Sequence, residues 1–131
     1  MDPVFLKRMQ EIPLFKFLPF EIVTAANGAA ELSLEYKRDF DGIFESLHGG
    51  FLMTLADTAA CIAVLTKTGT DAMVTTTDMN IRFLAACRSK ATAKARIIKF
   101  GRSLVPVHVE LFDEKGTLVA VSQVTYMRLR G

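Results

Sequence analysis

Alternation of hydrophobic and polar positions predicts six β-strands. The first two, at residues 20–26 and 29–36, flank Asn27-Gly28, which favours a two-residue hairpin turn because both residues tolerate positive φ angles. The other four are predicted at residues 73–85, 90–100, 104–112 and 117–129. Tight turns join most of these strands, so we expect the sheet to be largely antiparallel.

One long stretch interrupts the alternation. Residues 49–66, GGFLMTLADTAACIAVLT, hold a single charge in eighteen positions, at Asp57. This predicts a helix that is buried on nearly all sides and ends at Gly69. As a membrane span it would be minimal in length and would place Asp57 near the bilayer centre, at a cost of about 2.5–3.5 kcal/mol. A long helix covered by protein is therefore the better interpretation.

Together these elements predict an α+β fold in one domain, residues 1–131, with a curled, largely antiparallel sheet wrapped around one long central helix. A short helix is also expected at the N-terminus, where Phe5, Met9 and Ile12 have helical spacing and Pro13 closes the run. A single sheet leaves part of the central helix uncovered. A second subunit is the natural cover for that part.

Charge is unevenly distributed along the 131 residues. Residues 1–81 hold six Lys and Arg against eleven Asp and Glu, whereas residues 82–131 hold ten against three, so the two parts carry −5 and +7 and sum to the net charge of +2. A basic half favours an anionic partner, although solvated strand faces produce the same pattern. Nucleic acid is not expected as a partner, because no aromatic residues interleave with the basic ones.

The two cysteines, Cys61 and Cys87, form no disulfide framework of the secreted type and have no further ligand at zinc spacing. No metal and no cofactor are expected. The N-terminal sequence MDPVFLKRMQEIPLF is interrupted by charges and is not typical of a signal peptide. These features favour a cytoplasmic protein without a membrane segment.

Asp57 is the first candidate for chemistry. On a helical wheel one side, expected to face the core, is formed by Leu52, Leu55, Ala59, Ile62 and Ala63. Asp57 lies opposite, on a face of smaller or mildly polar residues: Gly50, Met53, Thr54, Ala60, Cys61 and Val64. An unpaired carboxylate is costly to bury, and Asp has poor helix propensity. Two interpretations stay open, a structural Asp with a hydrogen-bond partner and an active-site carboxylate.

His48-Gly49-Gly50, at the predicted helix start, is the second candidate. The glycines would let a ligand approach N–H groups that the first turn leaves unpaired, where the helix dipole favours negative charge. These are the parts of an oxyanion hole, and a flexible helix start capped by His48 is the alternative. Asp57 is seven residues past Gly50, roughly 10 Å along the axis, which is too far for both to serve one carbonyl. Two antiparallel helices across a two-fold axis would bring them together.

The segment HGGFLMTLADTAACIA, with nine positions from His48 to Asp57, resembles the signature of PaaI-like thioesterases of the hotdog-fold superfamily. The PLFKFLPFEIV segment and the TTTDMNIRFLA strand after the helix are also similar to that family. The resemblance implies hydrolysis of an acyl-CoA thioester at the interface of a homodimer, or of a homotetramer built as a dimer of dimers. It also implies that the amide of Gly49 or Gly50 polarises the carbonyl and that His48 shapes the turn.

The same resemblance implies that Asp57 of the partner chain acts as nucleophile or as general base, with Thr76 as an assisting hydroxyl. Thr75 and Thr77 leave the choice of threonine open. Relatives commonly carry Asn six positions before the His, and Gly or Gln three before it, where this chain has Gly42 and Glu45. The missing Asn puts rate and mechanism in doubt more than fold, and Glu45 could alter acyl preference.

Weaker candidates complete the prediction. Five basic residues of the C-terminal half are plausible contacts for the phosphates of CoA: Arg82, Arg88, Lys90, Lys94 and Arg96. A Cys61–His48 nucleophile pair is disfavoured because the two lie about 13 residues apart, near opposite ends of the helix. Two other functions stay open: a non-catalytic acyl-CoA sensor, and a hydratase or dehydratase acting on an acyl thioester. The latter normally needs a catalytic His beside an acid.

Overall fold

The computed structural model describes residues 1–130. Its helices are α1 (Pro3–Gln10), α2 (Pro13–Phe17) and α3 (Gly49–Thr68), with a 3-10 turn at Arg38–Phe40. Its strands are β1 (Phe20–Ala26), β2 (Ala29–Leu34), β3 (Met73–Phe83), β4 (Ala91–Ile97), β5 (Leu104–Phe112) and β6 (Leu118–Arg130). All six predicted strands and the long helix are present, and they differ from the sequence prediction only at their ends.

The six strands form one antiparallel sheet in the order β1-β2-β4-β5-β6-β3. Helix α3 contacts all six strands, which requires the sheet to curl around it. The predicted α+β architecture is therefore confirmed. Because β1 and β3 end the strand order, each leaves one row of backbone N–H and C=O groups without a strand partner among residues 1–130.

The first hairpin forms where the sequence predicts it. Asn27 and Gly28 have φ angles of 52° and 81°, the left-handed region that a two-residue turn of this kind requires. The N–H of Gly28 donates to Oγ1 of Thr66 at 2.8 Å, which ties the turn to the last part of α3. The β1–β2 turn thus lies at the C-terminal end of the long helix.

The predicted core side of α3 is enclosed, with Leu55 and Ala59 at 0% exposure. On the opposite side Ala60 and Val64 are also completely buried, as predicted for a helix that is buried on nearly all sides. By length and composition α3 could cross a membrane, but half of its most apolar eighteen residues are buried inside the structure. The C-terminal half of α3 is therefore buried on most of its sides.

The N-terminal segment corrects one prediction. Pro13 does not merely end the first helix. It begins α2, at the first helical position, where proline's missing N–H costs nothing. Pro3 occupies the same position in α1, which Asp2 caps by accepting a hydrogen bond from the N–H of Val4 at 2.9 Å.

Strand β3 contains a bulge near its middle, where its register with β6 shifts between Thr76 and Asp78. Before the shift the half-buried positions are Val74 and Thr76, and after it they are Met79 and Ile81. The bulge therefore changes which alternate residues face α3. Among the three consecutive threonines, Thr76 is the one that faces the helix.

A compact loop leads into α3. Asp41 pairs with Leu47 in an isolated bridge, and the N–H of Gly42 donates to the carbonyl of Ser46 at 2.8 Å. Glu45 adopts a φ angle of 56°, which a residue with a Cβ rarely adopts. The loop ends at His48 and fixes the direction in which α3 begins.

Candidate active site

His48 caps the start of α3. Its backbone is extended, with φ −58° and ψ 135°, and its Nδ1 accepts the N–H of Gly50 at 2.9 Å. An imidazole nitrogen that accepts a hydrogen bond carries no proton, so in the neutral ring the proton lies on Nε2. The side chain thus satisfies one of the N–H groups that the first turn leaves unpaired.

The same contact identifies the open amide. The N–H of Gly50 donates to His48 Nδ1, and the N–H of Phe51 donates to the carbonyl of His48 at 2.9 Å. The N–H of Gly49, by contrast, has no acceptor among residues 1–130. It lies at the positive end of the α3 dipole. The sequence could not choose between Gly49 and Gly50, whereas the geometry favours Gly49 as the amide that can receive a ligand oxygen.

Gly49 lies against the tip of the Phe83 ring. A Cβ built on this residue would lie 2.9 Å from Cζ of Phe83, closer than real Cβ contacts. A cavity of about 550 Å³ opens beside it, with Leu47, Leu52 and Leu84 among its lining residues. The open amide therefore lies at the edge of this cavity.

Asp57 is held by two hydroxyl groups. Thr76 donates from Oγ1 to Oδ1 of Asp57 at 2.8 Å, and Tyr126 donates from its phenol to the same oxygen at 2.7 Å. The Tyr126 phenol also lies 3.0 Å from the backbone carbonyl of Asp57. No residue within 1–130 donates a hydrogen bond to Oδ2, so one carboxylate oxygen is fixed and the other is open.

Tyr126 is the site residue that sequence reasoning missed. It lies directly opposite Thr76 in the β3–β6 pairing and is 4% exposed. A buried phenol needs an acceptor, and inward-facing positions of β6 follow from its alternation. That signal was available in the sequence, but the pairing register that brings Tyr126 to Asp57 was not.

Burial sets the protonation of the groups around Asp57. It raises the pKa of Tyr126 far above its usual range, with the nearby Cys61 and Asp57 contributing in the same direction. The phenol stays neutral and remains a donor. Burial also raises the pKa of the Cys61 thiol, which disfavours the thiolate that nucleophilic catalysis would need.

The outer stripe of α3 is defined here as Gly50, Met53, Thr54, Asp57, Thr58 and Cys61, none of which is fully buried. Thr54 and Thr58 turn their hydroxyls onto the carbonyls of Gly50 and Thr54, at 2.9 and 2.7 Å. Apart from Asp57, the stripe therefore presents small or apolar groups. Such a surface suits close contact with another helix.

The structure does not bring Gly49 and Asp57 together within one chain. They are eight residues apart on a continuous helix, about 12 Å along its axis. A single reacting carbonyl would have to lie about 3 Å from the amide and near the carboxylate. One chain therefore holds two half-sites rather than one complete site.

The predicted phosphate contacts are spread over the molecule. Arg88 is exposed and follows the cavity residue Cys87. Two of the lysines form ion pairs: Nζ of Lys90 lies 3.8 Å from Oε1 of Glu21, and Nζ of Lys94 lies 4.0 Å from Oε1 of Glu31. Arg96 pairs with Ala29 beside the first hairpin, at the opposite end of α3 from Gly49.

Arg82 lies exposed on β3, next to Phe83, and its guanidinium donates to the carbonyl of Ile81 at 3.3 Å. Residues 1–130 contain no group of three or more His, Cys, Asp or Glu side chains placed to hold a metal ion. Of the predicted contacts, Arg82 and Arg88 each adjoin a cavity-lining residue in sequence, Phe83 and Cys87.

With this geometry established, comparison with known proteins decides the family. Residues 44–120, which include His48, Asp57 and Thr76, match the Thioesterase superfamily. The chain belongs to the thioesterase superfamily. A "Putative esterase" of Saccharolobus solfataricus is 30% identical over 126 residues, which cover 91% of this chain and 87% of that protein.

Two further relatives of this thioesterase-superfamily chain carry more specific names. The 1,4-dihydroxy-2-naphthoyl-CoA hydrolase of Listeria monocytogenes is 31% identical over 106 residues, covering 80% of this chain and 86% of that enzyme. A structure of the phenylacetic acid degradation protein PaaI from Thermus thermophilus superposes with a TM-score of 0.81 at 27% identity, covering 89% of this chain and 99% of that one. The predicted family and its hotdog fold are confirmed, and thioester hydrolysis is the general activity that they support.

Proposed function

We propose that this protein hydrolyses acyl-CoA thioesters at sites formed between two copies of the chain. The observation that carries the proposal is the pair of half-sites on α3, an open amide at Gly49 and a carboxylate oxygen of Asp57 left free by its hydrogen bonds. The Listeria relative is named for a CoA thioester, which supports this substrate class.

Strand β3 supports the pairing of two chains. Phe83 lies against Gly49 and Thr76 against Asp57, so β3 follows the outer side of α3 between the two half-sites. Counted in residues, the midpoint between the two half-sites lies near Met53 on the helix and near Asn80 on the strand. A two-fold axis there would place Gly49 of one chain opposite Asp57 of its partner.

The same axis would pair the free edges of two β3 strands. An antiparallel pairing centred on Asn80 places Asp78 of each chain opposite Arg82 of the other, so opposite charges meet on both sides of the axis. This pairing would also cover an edge strand that has no buried residue within one chain. A homodimer is thus the minimal unit, and a homotetramer would be a dimer of such dimers.

In the proposed reaction the thioester oxygen accepts the N–H of Gly49, which stabilises the negative charge that develops there. Oδ2 of the partner's Asp57 takes a proton from water, and the water oxygen bonds to the carbonyl carbon. The C–S bond then breaks with its electron pair on sulfur, which takes up the proton. The products are the free acid and CoA thiol. Direct attack by the same Oδ2 is the alternative route, through an anhydride.

Other parts of the substrate have candidate contacts. The cavity beside Gly49 offers space for the part of the substrate next to the thioester. Arg88 follows the cavity residue Cys87 in sequence and is the preferred contact for a CoA phosphate, with Lys90 nearby in sequence and Arg82 engaged at the dimer edge. Free CoA in the cytoplasm makes that compartment the proposed location.

The first experiment measures thiol release from aromatic and aliphatic acyl-CoAs. Asp57→Asn keeps the size of the side chain and should reduce turnover of the best substrate at least about a hundredfold, as loss of a general base does. Unchanged thiol release from a folded variant would refute the role of Asp57. Tight binding of acyl-CoA by the wild type without thiol release would instead favour the sensor, a function that the replacement of the family Asn by Gly42 leaves open.

A pair of variants isolates the amide. Gly49→Pro removes the N–H at the first helical position, where proline is tolerated, and His48 already has the extended backbone that precedes a proline. Gly49→Ala introduces the same Cβ contact with Phe83 but keeps the N–H. The proline variant should therefore be about 10²–10³-fold slower than the alanine variant. Equal rates would remove Gly49 from the oxyanion site.

Mixing chains tests the shared site. Asp57→Asn and Gly49→Pro chains are each expected to be nearly inactive alone. After random exchange about half of the dimers would be mixed, each with one intact site made of Gly49 from the first chain and Asp57 from the second. Activity should recover to roughly a quarter of wild type, because half of the dimers are mixed and each mixed dimer has one of its two sites intact. Absence of recovery despite verified exchange would mean that each chain acts alone.

A further inference from the structure

The hydrogen bonds around Asp57 are asymmetric. Thr76 and Tyr126 both donate to Oδ1, at 2.8 and 2.7 Å, and no residue within 1–130 donates to Oδ2. A carboxylate oxygen with two donors is already saturated on its accessible lone pairs. The two hydroxyls thereby prevent the side chain from rotating and leave one specific oxygen to react.

Resting on the proposed role of Asp57, we infer that Tyr126 is a positioning residue for catalysis, which selects Oδ2 as the reacting oxygen. It acts through Asp57 and does not itself touch the substrate, because it is 4% exposed and lies behind the carboxylate on β6. Its phenol stays neutral and therefore keeps its proton for donation.

The surroundings of Tyr126 distinguish this role from ordinary core packing. The phenol links β6 to α3 at one residue, since it lies within 3.0 Å of both the backbone carbonyl and the side chain of Asp57. Tyr126 also lies opposite Thr76 in the sheet, so a cross-strand pair delivers both hydroxyls to one oxygen. The rest of its ring is enclosed, which keeps the phenol from leaving that position.

Tyr126→Phe removes one donor and preserves the ring. We expect kcat to fall about tenfold while KM changes less than about twofold, because the substrate contacts are intact and only the orientation of the reacting oxygen is lost. A residue with a purely structural role would lower thermal stability and leave kcat per folded site unchanged. Tyr36→Phe is the matched control, since Tyr36 donates to Asp41 at 2.6 Å and has no contact with Asp57.

A spectroscopic experiment observes the contact directly. The chain has two tyrosines and no Trp, so protein labelled with ¹³C at tyrosine Cζ gives two signals, and Tyr36→Phe leaves that of Tyr126 alone. In that background Asp57→Asn should shift the signal, because the charged acceptor is lost. The signal should also titrate with the same midpoint as the acid limb of kcat/KM, since both then report protonation of one carboxylate.

The outcomes separate this inference from the proposed function. If Asp57→Asn abolishes turnover but Tyr126→Phe keeps the wild-type kcat, positioning by Tyr126 is wrong and the proposed function stands. If Asp57→Asn keeps full turnover, the proposed role of Asp57 fails first. A Tyr126 signal that ignores both Asp57→Asn and pH would show that the phenol does not donate to this carboxylate in solution, and would also overturn the inference.

Discussion

Strands β5 and β3 lie on either side of β6 in one sheet, yet they differ in what covers them. In β5 every second side chain from Val105 to Leu111 is completely buried, whereas β3 has no buried residue in eleven. The difference corresponds to function. The half of the molecule around β5 is enclosed and stabilises the fold. The half formed by β3, the outer stripe and the loop before α3 is open and contains the candidate site residues.

The comparison predicts its largest effect in the enclosed half. Val109→Asp places an unpaired carboxylate at a position with 0% exposure and should destabilise the chain by about 4 kcal/mol or more, a large part of the roughly 5–15 kcal/mol by which domains are stable. Thr75→Asp, on the outward side of β3, is the counterpart and should leave the chain folded. Far-UV circular dichroism and denaturant titration measure both, and equal losses would erase the distinction.

The next effect concerns assembly rather than folding. Arg82→Glu would set like charges opposite each other at two symmetric places, costing about 1–2 kcal/mol and weakening the dimer about 5–30-fold. Adding Asp78→Arg reverses both partners and should restore association. Sedimentation equilibrium measures the dissociation constant. A single variant that dimerises as tightly as the wild type would place the β3 contact elsewhere.

A smaller effect is expected at the start of α3. His48→Ala removes the cap on the N–H of Gly50 and should cost about 1 kcal/mol of stability, with a loss of turnover because the direction of the Gly49 amide is less fixed. His48→Asn supplies another capping side chain and should recover most of the stability. Thermal unfolding and kcat of the two variants provide the test, which fails if alanine and asparagine behave alike.

The smallest effect is expected at Glu45. Its φ angle of 56° is unfavourable for a side chain with a Cβ, so Glu45→Gly should raise the stability of the open half by about 0.5–1 kcal/mol, or roughly 2–4 °C in Tm. Glu11→Gly, at another exposed Glu, is the control and should not stabilise. A lower Tm for Glu45→Gly would mean that the Glu45 side chain contributes more than its backbone strain costs.

The sequence predicted what depends on neighbouring residues. His48, Gly49 and Asp57 lie within one short motif on one helix, and their relation follows from helix geometry alone. Tyr126 could not be predicted, because it lies 69 residues from Asp57 and reaches it only through the pairing of β6 with β3. Long-range register is a property of the whole sheet.

Two further choices depended on local detail that no pattern shows. Gly49 rather than Gly50 has the open amide because the His48 ring turns back on its own helix. Thr76 rather than Thr75 or Thr77 faces Asp57 because the bulge sets the alternation at that point. In each case the residue type was predicted, and the exact position was decided by a local hydrogen bond or by the pairing register.

The bulge in β3 has a consequence for how this protein can change over evolutionary time. Because it adds one residue to the strand, Thr76 and Met79 both face the helix, although they are separated by an odd number of positions. Deleting Thr77 would remove the bulge and leave Thr76 and Met79 two positions apart, so both would still face α3. A one-residue deletion is therefore tolerable at the bulge, whereas deletion of Arg82 would place Ile81 and Phe83 on opposite faces of the strand and turn Phe83 away from Gly49.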